Sequence, residues 1–163
     1  MQKSILAAIA FVCYLNMNSQ EVNSDNPGTT KSKKYLEDNW RKLSNEGKNI
    51  EAASELLYLV MSDSTRNKHA DYWHIGQIYA MDNQYEKAVF YMHKSMQGIT
   101  EESDQQFWWY YKGTIAFLER NKEDLESYAL LLEENHTTYH SNNSKVLKKM
   151  LERFDKPYSE VFQ

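Results

Sequence analysis

Histidines, a knot of carboxylates and a run of aromatics are the side chains in this sequence that could do chemistry. His136 and His140 stand four residues apart, the spacing that lets two imidazoles share a helix face and hold a zinc ion. Thr137, Thr138 and Tyr139 lie between them and read as a fraying helix end. No HExxH pattern completes a ligand set, so no metal is expected. His69, His74 and His93 belong to one hairpin but fall on different faces, which suits packing or solvent contact. Glu101, Glu102 and Asp104 form an acidic cluster. Held across a cleft, paired carboxylates do general acid–base work. On a loop leading into a helix they instead favour the positive N-terminal end of the helix dipole. Asn135-His136-Thr137 and Asn142-Asn143-Ser144 match the N-glycosylation acceptor pattern, which matters only in a eukaryotic secretory pathway. The residues therefore point to no catalytic, cofactor or metal site, and a non-enzymatic role is expected.

The run Phe107-Trp108-Trp109-Tyr110-Tyr111 carries more weight. On a helix these five side chains are about 100° apart and go all the way round. They cannot all bury against one neighbour. Some must meet a second packing layer or a binding groove.

The elements that position these residues follow from composition and periodicity. The 163 residues allow one compact domain. With 41% hydrophobic and 26% charged residues, wholesale disorder is excluded. Only 5 Gly and 2 Pro argue against a loop-rich β-sandwich and a glycine-built phosphate cradle. A net charge of −4 disfavours nucleic acid as a partner. The one cysteine, Cys13, leaves no internal disulfide framework.

Residues 1–20 have the layout of a secretory signal peptide: Lys3, an apolar run from Ile5 to Leu15, then a polar stretch. The run is short for a bilayer span, which takes about 20 apolar residues. Phe11 and Val12 precede Cys13, unlike a lipid-attachment site. The expectation is an exported protein, periplasmic, in the cell envelope or secreted, with no stable membrane insertion once the signal is cleaved. Residues 21–33, with Pro27-Gly28 at their centre, read as a flexible lead.

From residue 34 onward almost every segment has helical spacing. Gly76 and Gly113 stand in similar aromatic settings 37 residues apart. A polar break follows each, and then a second amphipathic run begins. Ala88 lies twelve residues after Gly76, and Leu125 twelve after Gly113. Upstream, Gly47 to Ala53 reads as another turn and second-helix start, with Ala52 36 residues before Ala88. Helix, turn, helix at a fixed period is the mark of a solenoid.

Tyr72, Ile75, Gly76 and Tyr79, followed by Ala88 and Met92, resemble the core positions of the tetratricopeptide repeat, a 34-residue helical hairpin. In that family a small residue on each helix lets the pair approach closely, and Gly76 and Ala88 stand at both positions. Two further units are degenerate. Trp40 stands where the first would have glycine, and Leu125 where the last would have a small residue. The resemblance implies an all-α superhelix of helical hairpins over residues 34–156. Residues 144–156 are expected to form its capping helix, with Val146, Leu147, Met150, Leu151 and Phe154 on one face and Ser144 as N-cap. Pro157 bars continuation, and residues 157–163 are expected as a tail.

By the same resemblance the first helices line a concave, partner-binding face. Register puts Lys34, Asp38 and Arg41 there in the first unit, Trp73 and Gln77 in the second, and Phe107, Tyr110 and Thr114 in the third. The expected function is non-catalytic binding of a protein or peptide, as an exported adaptor or scaffold. A self-associating envelope protein is the alternative, and a helical small-ligand binder or enzyme comes third.

Overall fold

The computed structural model describes residues 37–163, and among these no strand occurs. The signal segment 1–20, the lead 21–33 and Lys34 lie outside the described residues. The helices in order are α1, described over 37–45, α2 (Asn49–Ser62), α3 (Lys68–Met81), α4 (Tyr85–Ser95), α5 (Gln105–Leu118) and α6 (Lys122–Asn135). A 3-10 turn (Thr138–His140) leads into α7 (Ser141–Glu152), and α8 (Tyr158–Val161) ends the chain.

Short polar side chains start α3, α5 and α6. Asn67, Asp104 and Asn121 accept hydrogen bonds from the N–H groups of Ala70 (3.3 Å), Phe107 (3.1 Å) and Asp124 (3.2 Å). Each satisfies an amide that the first turn of α3, α5 or α6 leaves without a partner.

The hairpins α1–α2, α3–α4 and α5–α6 close with one and the same turn. Gly47, Asn83 and Arg120 each adopt a left-handed conformation, with φ of 76°, 57° and 61°. They are spaced 36 and 37 residues apart. The residue after each donates its N–H to a carbonyl five positions back: Lys48 to Leu43, Gln84 to Tyr79 and Asn121 to Ala116, all at 2.9 Å. This is a helix-ending motif that folds the chain back on itself.

Within each hairpin the helices pair closely, and each hairpin then packs on the next. α2 lies against α3, α4 against α5, and both α5 and α6 against α7. The result is an all-α superhelical arrangement. A Cβ built on Gly76 would stand 2.6 Å from Met92 Cγ and 3.0 Å from the Ala88 carbonyl oxygen, so α3 and α4 touch through a missing side chain. Gly113 makes its close approach to a different neighbour, with Leu147 Cδ1 of α7 at 2.7 Å. Trp40, Ala52, Ala53, Leu56, Ile75 and Ile78 form one buried cluster. A larger one runs from Trp73 and Ala88 through α5 and α6 to Leu147, Met150, Tyr158 and Val161.

The C-terminal end differs from expectation in two ways. α7 starts at Ser141, not Ser144, because the 3-10 turn feeds directly into it and Ser141 Oγ donates to the Thr138 carbonyl (2.9 Å). Ser144 is buried inside the helix. Residues 157–163 do not trail off. α8 turns back against α3 and α7 and buries Tyr158 and Val161.

Candidate partner-binding surface

Two rows of aromatic and polar side chains cross the face made by the first helices of the hairpins. The first row runs near the N-terminal halves of α3 and α5. Trp73 stacks on Tyr111 with ring centroids 4.0 Å apart and tilts against Tyr110 at 5.5 Å. Tyr111 meets Phe107 at 5.7 Å, and Phe107 meets His140 edge-on at 4.7 Å. The second row begins on α1. The Arg41 guanidinium lies 4.1 Å over the Trp40 ring, and Trp40 meets His74 at 5.6 Å. His74 Nδ1 is 3.2 Å from Gln77 Oε1. Gln77 also lies beside the buried Tyr158 hydroxyl, and the Tyr158 ring leans on Phe117 at 6.1 Å.

The residues expected on this face occupy different depths. Trp73 and Tyr110 are buried, and Thr114 is fully buried with its hydroxyl donating to the Tyr110 carbonyl (2.9 Å). Phe107 and Gln77 are half-buried, while Asp38 and Arg41 are exposed. The structure thus joins Arg41 and Gln77 in one row and Trp73, Tyr110 and Phe107 in the other. Thr114 is a packing residue beneath them in this conformation. The helix-wide aromatic run is accommodated because α5 has neighbours on several sides. Trp109 turns away to donate its indole N–H to Glu101 (2.8 Å), and Trp108 lies under Lys112.

Three members of this surface were not assigned to it from the sequence: His74, which was read as a packing or solvent-facing histidine, Tyr158 and Arg120. Arg120 sits at the left-handed turn position, with its guanidinium over the rings of Tyr85, Phe117 and Phe154 at 5.1–5.8 Å. It donates to the carbonyls of Phe154 and Lys156. The 37-residue step from Asn83 to Arg120 is the signal that could have marked it.

The titratable groups around the face have structural partners. Burial pushes the His74 imidazole below its ordinary range, so it is neutral near pH 7. Burial also pushes down His140, whose Nδ1 faces the Asn143 amide at 3.3 Å. The Tyr158 phenol, by contrast, is raised by burial well beyond the usual range. Beside α1, Arg66 forms a two-pronged pair with Asp71 (2.6 and 2.8 Å) and reaches Glu37 at 2.9 Å. Burial raises the Glu37 carboxyl, but the Arg41 and Arg66 guanidiniums outweigh it and hold the group below its ordinary value. Glu101 and Asp104 of the acidic cluster serve as the Trp109 acceptor and the α5 cap. Among the described residues, no group of three His, Cys, Asp or Glu side chains is placed to hold a metal ion. No helix among them is long and apolar enough to cross a membrane.

Compared with known proteins, the chain matches no family model, no curated protein and no solved structure.

Proposed function

We propose that this protein is a non-catalytic module of tetratricopeptide-like hairpins that binds a protein or peptide partner across the first-helix face. The observation that carries the reading is the pair of rows described above, which present half-exposed aromatic edges beside polar groups. Phe107 and Tyr111 are half-buried, Tyr139 meets Phe107 edge-on at the end of the first row and is 57% exposed, and Arg41 is exposed at the end of the second. Aromatic and arginine side chains of this kind anchor protein interfaces. The tetratricopeptide assignment is supported by the three equivalent turns and by the Gly76 approach to Ala88 and Met92. The signal-like residues 1–20 extend the proposal to an exported adaptor or scaffold.

Self-association is the second reading, and a separate observation favours it. The second helices expose Tyr58 (60%), Met61 (86%) and Phe90 (54%), large apolar side chains that a partner copy would cover.

The test is affinity capture from envelope extracts of the source cell. Wild type is compared with a Phe107→Ala, Arg41→Ala double variant of equal helicity and melting temperature. One protein held by wild type and lost from the variant supports the reading. An identical captured set with both chains sinks it. A mass that rises with concentration, measured by light scattering, transfers support to self-association.

A further inference from the structure

We propose that the surface beneath the segment that follows α7 is a peptide groove and that residues 153–163 are its resident competitor. Its ligand is a short segment presenting an aromatic and an aliphatic side chain three residues apart on one helical turn. This rests on the partner-binding reading above and names the ligand chemistry of that same face.

The argument comes from how the C-terminal segment is held. Arg120 donates to the carbonyls of Phe154 and Lys156, and the Tyr158 N–H donates to the Tyr85 hydroxyl (2.9 Å). Three main-chain groups within five residues are therefore taken by side chains 34 to 73 positions away. Contacts to main-chain groups fit any peptide, whatever its sequence. Specificity comes from the side chains, with Tyr158 and Val161 buried and Phe154 and Phe162 partly buried beside them. Tyr158 enters against Gln77 and Phe117, and Val161, one turn on, is fully buried. Main-chain capture combined with spaced side-chain pockets is how folded domains recognise short peptides.

The occupant is small and weakly self-organised. α8 has four residues and no side-chain cap at its start. Its carbonyl end is held by Arg153, which donates to Glu160 (3.0 Å) and Gln163 (2.8 Å) and belongs to the segment rather than to the groove. Pro157, in extended conformation, separates α8 from the turn that ends α7. Release of the segment exposes Gln77, Phe117 and Tyr85 without breaking any of the three hairpin turns.

The test uses a fluorescent peptide of residues 153–163 and full-length chains, read by anisotropy. A tethered competitor multiplies the apparent affinity by the fraction of chains with an open groove. Val161→Asp places a carboxylate in a buried site and favours the open form. It is expected to bind the peptide at least about tenfold more tightly than wild type. A peptide with alanine in place of its tyrosine and valine is expected not to bind. Arg153→Ala loosens α8 without altering the groove and is expected to show a smaller gain. A helical, cooperatively melting Val161→Asp chain that binds no better than wild type overturns the proposal. If that chain does not fold, no gain with Arg153→Ala overturns it. The probe is the chain's own sequence, so this result is independent of whether a foreign partner is captured. Peptide gain without capture leaves the groove standing and removes the partner reading.

Discussion

Replacing Gly76 by alanine tests the tightest contact in the fold. The added Cβ would lie 2.6 Å from Met92 Cγ, 3.0 Å from the Ala88 carbonyl oxygen and 3.3 Å from the Met92 nitrogen. Two of these neighbours are backbone. The third is near the root of the Met92 side chain, so turning its thioether end does not clear it. Met92 and Ala88 are themselves fully buried, which leaves no room to retreat. Overfilling a core costs about 1–3 kcal/mol, and with backbone atoms among the obstructing neighbours this case falls in the upper half, about 2–3 kcal/mol. Against this, alanine is better than glycine in a helix interior by about 1 kcal/mol. The clash wins, and the net loss is about 1–2 kcal/mol. For a folded region of this size that lowers the melting temperature by about 3–8 °C. Thermal unfolding followed by far-ultraviolet circular dichroism reads it directly. In a Met92→Ala background the obstructing Cγ is gone, and the cost of Gly76→Ala shrinks by the coupling expected of touching residues. Gly113→Ala is milder, because its nearest neighbour is the mobile tip of Leu147. A Gly76→Ala chain that melts at or above wild type would refute the close-approach account of α3 and α4.

Two further expectations concern charge. Arg66→Ala strands Asp71, which is 6% exposed, and is expected to cost about 3 kcal/mol in urea unfolding. Lys122→Ala removes only an exposed pair with Glu126 and should change stability by less than about 0.5 kcal/mol. Equal effects would dismiss the Arg66 network. On acidification, His74 and His140 take up protons more readily when unfolded, since burial lowers both in the fold. Stability therefore falls as pH drops through about 6.5, and His74→Asn should flatten that part of the profile. Glu37 has the same sign at lower pH. Its folded value lies below its unfolded one, so its contribution holds above pH 4.5 and is lost on further acidification. Melting temperatures at half-unit steps from pH 7.5 to 3.5 separate the two limbs.

Helical class and hairpin layout were legible because they depend on local chemistry. The apolar spacing marks the faces, Asp104 precedes its helix as a cap, and Gly76 and Ala88 stand where two backbones must touch. Depth was not legible. Periodicity says that Trp73, Tyr110 and Thr114 share a side of their helices, not how much of that side the next helix covers. The fold of residues 157–163 was hidden for a different reason. Four residues are too few to show a period, and their partners, Gln77, Tyr85, Phe117 and Arg120, lie far back along the chain. Tyr158, Val161 and Phe162 after Pro157 were the available signal, since three large apolar residues are unusual in a solvated tail.

Arrays of helical hairpins unfold piecewise, because each unit depends only on its neighbours. The bond from Tyr158 to Tyr85 spans 73 residues and skips back over the third hairpin to the second. In terms of coupling this turns an open row into a closed loop. The α3–α4 and α5–α6 hairpins and α7 are then expected to exchange their amide protons as one block, with α1 and α2, outside the loop, opening first. When the C-terminal segment leaves its seat, the loop opens, and the block divides into units that melt in sequence.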